Sequence, residues 1–127
     1  MIPVRQYAGI IGAVVVLLGI VGLIAGEGHL FGLINIDIAE DIVHLLTGGL
    51  MLYVGFAQSD NALARTVVGG IGIVYLLVGI IGFLSATLFG LIPSGYTWAD
   101  NVVHLLLGVL GIGVAWLIPD RSSTMRV

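Results

Sequence analysis

The stretch AEDIVHLLTG (39–48) returns as ADNVVHLLLG (99–108), and this pair of segments sets the plan of the chain. Each copy carries an acidic residue and, four positions later, a histidine: Glu40 with His44, and Asp100 with His104. Residues four apart lie on one face of a helix, so each acid and its histidine share a face. Two of the three histidines thus occupy matching places in a very apolar sequence.

The composition excludes a water-soluble domain. Charged residues make up 9% of the 127 and apolar residues 59%, with a mean hydropathy of +1.21, whereas a soluble domain carries roughly a quarter of charged residues. Four stretches reach the roughly 20 apolar residues that a membrane-spanning helix needs: about 7–25, 38–56, 64–84 and 98–118. We therefore predict an all-α fold, an integral membrane four-helix bundle, with residues 1–127 forming a single membrane domain in contact with the lipid bilayer.

An internal repeat divides this bundle into two helical hairpins, residues 5–60 and 65–120. Each hairpin contains two spans, so both enter the membrane in the same direction, which predicts a parallel repeat about an approximate two-fold axis along the membrane normal. The matching positions are Arg5 with Arg65, Gly12 with Gly72, GIVG (19–22) with GIIG (79–82), Glu40 with Asp100, His44 with His104, and Gly48 with Gly108.

The charged residues predict orientation and exclude some partners. Arginines lie before the first span, between the second and third, and after the fourth, while acids gather at the other two loops. By the positive-inside rule, this is a multi-pass protein of the cell membrane with both termini in the cytoplasm. Four arginines without lysine form no basic patch for nucleic acid. The absence of cysteine excludes disulfides and thiolate metal sites.

Glycines predict how the helices pack. Lipid supplies no hydrophobic drive between helices, so small residues that allow close backbone approach mark the contact faces. His44 shares its face with Gly48, and His104 shares its face with Gly108, so we expect both histidines to point into protein. The corresponding stripes are Gly12, Gly19, Gly22 and Gly26 in the first span and Gly72, Gly79, Gly82 and Ala86 in the third.

The two acids have a structural explanation that needs no ligand. Asp37 with Glu40, and Thr97 with Asp100, have the spacing of a capping box at a helix N-terminus. Short apolar pieces in the two outer loops, FGLI at 31–34 and again at 89–92, predict segments that lie at the membrane interface. Their aromatic anchors would be Phe31, Phe89, Tyr96 and Trp98.

Three interpretations of His44 and His104 remain open. Each imidazole could be neutral and structural, bonded to the acid one turn above or to a neighbouring helix, with Tyr75 as a partner. The pair could instead hold haem iron or a chlorophyll-type pigment, or could join Glu40 and Asp100 around a divalent metal such as zinc, iron or manganese. Finally, the histidines could mark a proton or ion pathway.

No set of residues points to catalysis. Ser85, Ser94 and Thr97 have no triad around them, and the chain has neither lysine nor a phosphate-binding loop. We predict a small non-enzymatic membrane protein, a structural or accessory subunit of a membrane complex or homo-oligomer, with leftover glycine faces as contact surfaces. The alternatives are a haem-, pigment- or metal-binding protein that uses the histidine pair, and a small channel or transporter.

Three stretches together resemble a known family: DIVHLLTGGLMLYVGF (41–56), ALARTVVGGIGIVYLLVGIIGFL (62–84) and LIPSGYTWADNVVHLLLGVLGIGVAW (91–116). The family is catalogued as domain of unknown function 4383 and consists of small prokaryotic four-span membrane proteins. The resemblance covers residues 39–118 well and the first span loosely. Asp41 departs from it, since many members carry Asn there, as this chain does at Asn101. The resemblance implies a four-span fold without an assigned activity or catalytic residues.

Overall fold

Four long helices form the molecule, and the computed structural model describes residues 3–119. All four are long and apolar enough to cross a membrane, so the predicted all-α membrane bundle is confirmed. The helices begin and end within four residues of the predicted spans. They are α1 (Pro3–Ala25), α2 (Ile38–Leu52, continued by a π-helix, Tyr53–Ala57), α3 (Asn61–Leu84) and α4 (Trp98–Trp116), with strands β1 (Gly28–Leu30) and β2 (Ile34–Ile36) between α1 and α2.

Helix α1 packs mainly on α2, and α3 packs mainly on α4. The backbones touch where glycines face each other: a Cβ built on Gly12 would lie 2.9 Å from the carbonyl oxygen of Gly48, and one on Gly72 would lie 3.1 Å from that of Gly108. Equivalent contacts recur at the same offset elsewhere, namely Gly9 on Phe56 and Gly69 on Trp116, then Gly19 on Leu45 and Gly79 on Leu105. A two-fold axis along the membrane normal stays a prediction.

The helix N-termini agree only partly with the sequence. The predicted capping box at α4 is confirmed, with Thr97 and Asp100 each bonding the backbone of the other. At α2 the prediction is wrong, since the side chain of Asp37 makes no capping bond. The reason is that Asp37 and Glu40 bind groups from the other hairpin instead.

The connection between α1 and α2 is an antiparallel β-hairpin that the sequence did not predict. Gly28 pairs with Ile36, and the turn has positive φ angles at Phe31 (55°) and Gly32 (70°). Phe31 is 90% exposed, as expected of an interface anchor. Tyr96 is only 8% exposed, so its prediction as an anchor is wrong, because its hydroxyl group binds a buried carboxylate.

The glycine stripes are shorter than predicted. Gly26 and Ala86 follow the last residues of α1 and α3 and are exposed, so neither packs between helices. Gly26 instead adopts a φ of 97° where the chain leaves α1. In this left-handed region a glycine carries no Cβ penalty, which explains its place after a helix end.

Gly108→Ala is expected to weaken the contact between α3 and α4. A Cβ at this position would lie 2.6 Å from the backbone nitrogen of Leu76, and no rotamer relieves that overlap. We expect a loss of about 1–3 kcal/mol in the free energy of unfolding, measured by denaturant titration and circular dichroism in detergent. The control is Gly113→Ala on the same helix, where a Cβ meets no described atom within 4 Å. Equal losses in the two variants would contradict close packing at Gly108.

Candidate functional site

Helices α2 and α4 bring the two matching histidines to one carboxylate. The Nε2 atom of His44 lies 3.0 Å from Oε1 of Glu40, and Nε2 of His104 lies 3.4 Å from the same oxygen. Each of these three residues is at most 5% exposed. One ligand atom from each lies within 4.8 Å of the others. We call Glu40, His44 and His104 the His–Glu cluster.

Two tyrosines from the second hairpin enclose the His–Glu cluster. The hydroxyl of Tyr96 donates to Oε2 of Glu40 at 2.6 Å, and its ring meets that of His104 edge-on at 4.9 Å. Tyr75 stacks on His104 with ring centroids 5.6 Å apart, but its hydroxyl bonds that of Thr47 at 2.7 Å instead of a histidine. Burial and the charge of Glu40 raise the pKa of Tyr96 far above its usual range, so the phenol stays protonated and donates.

Asp100 stands apart from the His–Glu cluster. Its carboxylate accepts hydrogen bonds from the backbone amide of Asn35, at 3.0 Å, and from that of Thr97, at 2.8 Å. The structure therefore brings together three of the four predicted metal ligands. The fourth, Asp100, completes the capping box of α4 and accepts a hydrogen bond from Asn35 in the β-hairpin.

A small cavity of about 40 Å³ adjoins the His–Glu cluster. A water molecule needs roughly 10–15 Å³ of such volume, so the cavity has room for about three. Both hairpins contribute its walls, and more than half of the lining residues are polar: Asn35, Glu40, His44, Tyr75, Asp100 and His104, beside the apolar Val15, Leu18, Ile34, Val103 and Leu107. The cavity therefore has room for a few water molecules beside the polar side chains of the His–Glu cluster.

Three of the six buried polar atoms without a hydrogen-bond partner among residues 3–119 belong to residues that line this cavity. The Nδ1 atoms of His44 and His104 and the Oδ1 atom of Asn35 are buried without a hydrogen-bond partner among residues 3–119. Each such atom costs about 1–3 kcal/mol of stability. Water or another occupant of the cavity can supply partners for such atoms where the protein supplies none.

Hydrogen bonds to Asp37 link the segment between α1 and α2 to the segment between α3 and α4. Its carboxylate accepts hydrogen bonds from the amide of Ser94 at 3.0 Å, from the hydroxyl of Ser94, and from the side-chain amide of Asn35 at 3.2 Å. Asn35 also donates to the carbonyl oxygen of Gly95 at 3.0 Å. Burial opposes ionisation, but these hydrogen bonds outweigh it and lower the pKa of Asp37. The sequence offered no periodic signal for this contact.

Asp41 and Asn101 face the glycines of their own hairpins rather than the His–Glu cluster. A Cβ on Gly22 would overlap the carboxylate of Asp41, and one on Gly82 would overlap the amide oxygen of Asn101. The second glycine of GIVG and of GIIG is therefore required by a polar side chain on the partner helix. Contacts between a glycine Cα–H and an oxygen are weak and recur between close-packed helices.

The comparison with known families agrees with this architecture. A family model described as Domain of unknown function (DUF4383) matches residues 5–117. The chain belongs to this family. The match includes the first span, which the resemblance covered only loosely. No curated protein and no solved structure matches the chain. Membership thus agrees with the four-helix fold, while the activity must be argued from the site.

Tyr96→Phe should destabilise the fold because it removes the hydroxyl that donates to buried Glu40. A hydrogen bond to a charged group contributes about 1.5–3 kcal/mol, and we expect a loss of that size in unfolding free energy by denaturant titration. The matched control is Tyr53→Phe, whose hydroxyl accepts from Gln58 on an exposed surface and whose loss should stay below about 0.5 kcal/mol. Similar effects at both positions would argue against a special role for Tyr96.

Acidification should release the contact at Asp37. Its folded pKa is lowered, so the stabilisation is complete above the unfolded value of about 3.9 and is lost as the pH falls through the folded value. The difference in unfolding free energy between wild type and Asp37→Asn should therefore be largest at neutral pH and shrink in acid. Asp60→Asn is the control, because Asn caps α3 as well as Asp does. A difference that does not change with pH would refute this assignment.

Proposed function

We propose that this membrane protein binds one divalent transition-metal ion through the His–Glu cluster and that it is not an enzyme. The supporting observation is the convergence of two imidazole nitrogens and one carboxylate oxygen within 4.8 Å in a buried site. Two histidines with one carboxylate form a ligand set that zinc and non-haem iron use in proteins. No serine or threonine in residues 3–119 has a histidine as a bonding partner, so the proposal places no side-chain nucleophile beside the metal.

The distances suit an ion of this kind. With bonds of about 2.0–2.2 Å, a tetrahedral metal holds its ligand atoms roughly 3.3 Å apart. The two separations from Oε1 of Glu40, 3.0 and 3.4 Å, are close to that value. Tyr96 holds the other oxygen of the same carboxylate, as partners of metal-bound carboxylates do. The adjoining cavity leaves room for water in the remaining coordination positions.

The same dimensions disfavour a macrocycle. The cavity beside the two imidazoles measures about 40 Å³, while a cavity that binds benzene measures about 150 Å³. A haem or chlorophyll-type ring is much larger than benzene, so it could bind between the histidines only if the two hairpins moved apart. A bare ion fits without such a change.

Metal binding can be measured directly on the purified protein in detergent. Calorimetric titration with Zn²⁺, and elemental analysis after dialysis, should give one ion per chain. His44→Ala, His104→Ala and Glu40→Gln should each weaken binding by more than about 100-fold, since even outer partners of metal ligands cost 10–100-fold. The control is His29→Ala, which removes an exposed histidine outside the cluster whose ring nitrogen contacts the carbonyl oxygen of Gly95.

Two results would overturn the proposal. One is the absence of stoichiometric binding in the folded wild type. The other is unchanged affinity in variants at His44 and His104 that still melt cooperatively. An absorption band typical of a porphyrin would instead favour the pigment alternative.

As a second candidate we propose an accessory subunit of the cell membrane that packs in a homo-oligomer or larger complex, with both termini in the cytoplasm. Three glycines support it, since a Cβ on Gly49, Gly70 or Gly113 meets no described atom within 4 Å. Small residues on membrane helices favour contact with further helices. Gly70→Leu should lower the assembled mass in mild detergent, and Ile73→Leu, on an exposed part of the same helix, should not. A wild type that always runs as a monomer would refute this role.

A further inference from the structure

A second, larger cavity lies between the two hairpins. It measures about 320 Å³ and is walled by α2, by α3 and by the segment 85–97 that joins α3 to α4. Helices α2 and α3 pack far less on each other than either does within its own hairpin, which leaves this space open. Residues at its rim are exposed on the apolar surface, including Val43 and Val74. We call it the lateral cavity.

The walls of the lateral cavity are apolar except at one place. Seven of its ten lining residues are aliphatic, and the other three are Glu40, Tyr75 and Tyr96. These three form or enclose the His–Glu cluster, so Glu40 lines both the small cavity and the lateral cavity. Apolar walls with a few converging polar groups are typical of small-molecule sites.

The wall contributed by the joining segment has an unusual backbone. Leu88 and Phe89 have φ angles of 47° and 59°, in the left-handed region that large side chains rarely adopt. Backbone hydrogen bonds from Leu91 to Leu88 and from Ile92 to Thr87 hold this turn in place. Leu88, Leu91 and Ile92 all line the lateral cavity. Strained residues of this kind are found where a backbone shapes a ligand site.

We propose that the lateral cavity binds a neutral lipid-phase molecule with an aliphatic body and a hydroxyl head that donates to Glu40. A volume of 320 Å³ is about twice that of a cavity that takes benzene, so the enclosed part of the body has about a dozen carbon atoms. Entry is from the bilayer, because the rim residues belong to the apolar surface.

The head group follows from the acceptor positions of Glu40. A carboxylate offers about four, two on each oxygen. His44 and His104 contact Oε1, and Tyr96 donates to Oε2, which leaves one position on Oε2. A hydroxyl can donate there, whereas a fatty acid or phosphate would place a second negative charge beside the carboxylate. The site requires no metal ion, so it stands independently of the function proposed above.

Photolabelling tests this proposal on the protein in lipid nanodiscs. The probe is 1-dodecanol with a diazirine near its end, and the comparison probe is dodecanoic acid with the same diazirine. The alcohol should label the walls formed by Val43, Val78 and Leu91, and unlabelled 1-dodecanol should compete with it. The acid should label these positions at least about tenfold less, a difference of about 1.4 kcal/mol.

Matched variants separate the cavity from the general lipid surface. Val78→Trp fills the lateral cavity from α3, and Leu91→Trp fills it from the exposed joining segment, which keeps the test valid if either variant folds poorly. Both should reduce labelling by the alcohol by about tenfold. The control is Ile80→Trp, which lies on α3, is 47% exposed and does not line the cavity; its labelling should match that of the wild type.

The outcomes that overturn the proposal are distinct. Labelling that is spread evenly along the lipid-facing helices would contradict binding in the lateral cavity. Labelling that is unchanged in both cavity-filling variants, provided that they fold, would contradict it as well. Equal labelling by the alcohol and the acid would contradict the proposal that the ligand has a hydroxyl head group. Zn²⁺ titration of Val78→Trp and Leu91→Trp separates this result from the metal proposal, because filling the lateral cavity should leave metal affinity unchanged.

Discussion

The carboxylate of Glu40 is the interaction on which the interior of this bundle depends. A carboxylate among apolar helices is strongly unfavourable unless other groups satisfy it. Here the partners come from three places in the chain: His44 on the same helix, His104 on α4, and Tyr96 on the segment before α4. Satisfying one acid therefore requires both hairpins and a connecting segment to take fixed positions. The pairing of the hairpins and the shape of the site are consequences of the same requirement.

The two halves of the chain differ at the positions nearest to the His–Glu cluster. Glu40 reaches the histidine of the other hairpin, while Asp100, shorter by one methylene, stays at its own helix end and completes the capping box. Tyr75 stacks on His104, whereas the matching residue of the first half is Val15, which lines the small cavity. A valine in place of a tyrosine leaves space beside the histidines. These differences between the two halves leave a single central carboxylate with a cavity next to it.

Glu40 also lines both the small cavity and the lateral cavity. The small cavity has room for water beside the His–Glu cluster, and the lateral cavity has mostly aliphatic walls, yet the same carboxylate lines both. An occupant of either would therefore lie beside Glu40 and Tyr75, which line both cavities. The family to which the chain belongs is described as a domain of unknown function, and in this chain the shared carboxylate connects the two places where a ligand would fit.

Local patterns in the sequence determined the four spans, the place of each histidine beside an acid, and the glycine faces. These features depend on neighbours within one or two helical turns, and hydropathy and helical periodicity report them directly. Only the tertiary structure decided that both histidines meet Glu40 and not Asp100, and that Tyr96 and Asp37 leave the surface to bind across the hairpins. Those contacts join residues more than fifty positions apart. Periodicity tells which face a side chain occupies, but the distance between two helices is set by the packing of backbones, and that distance decides which polar groups meet.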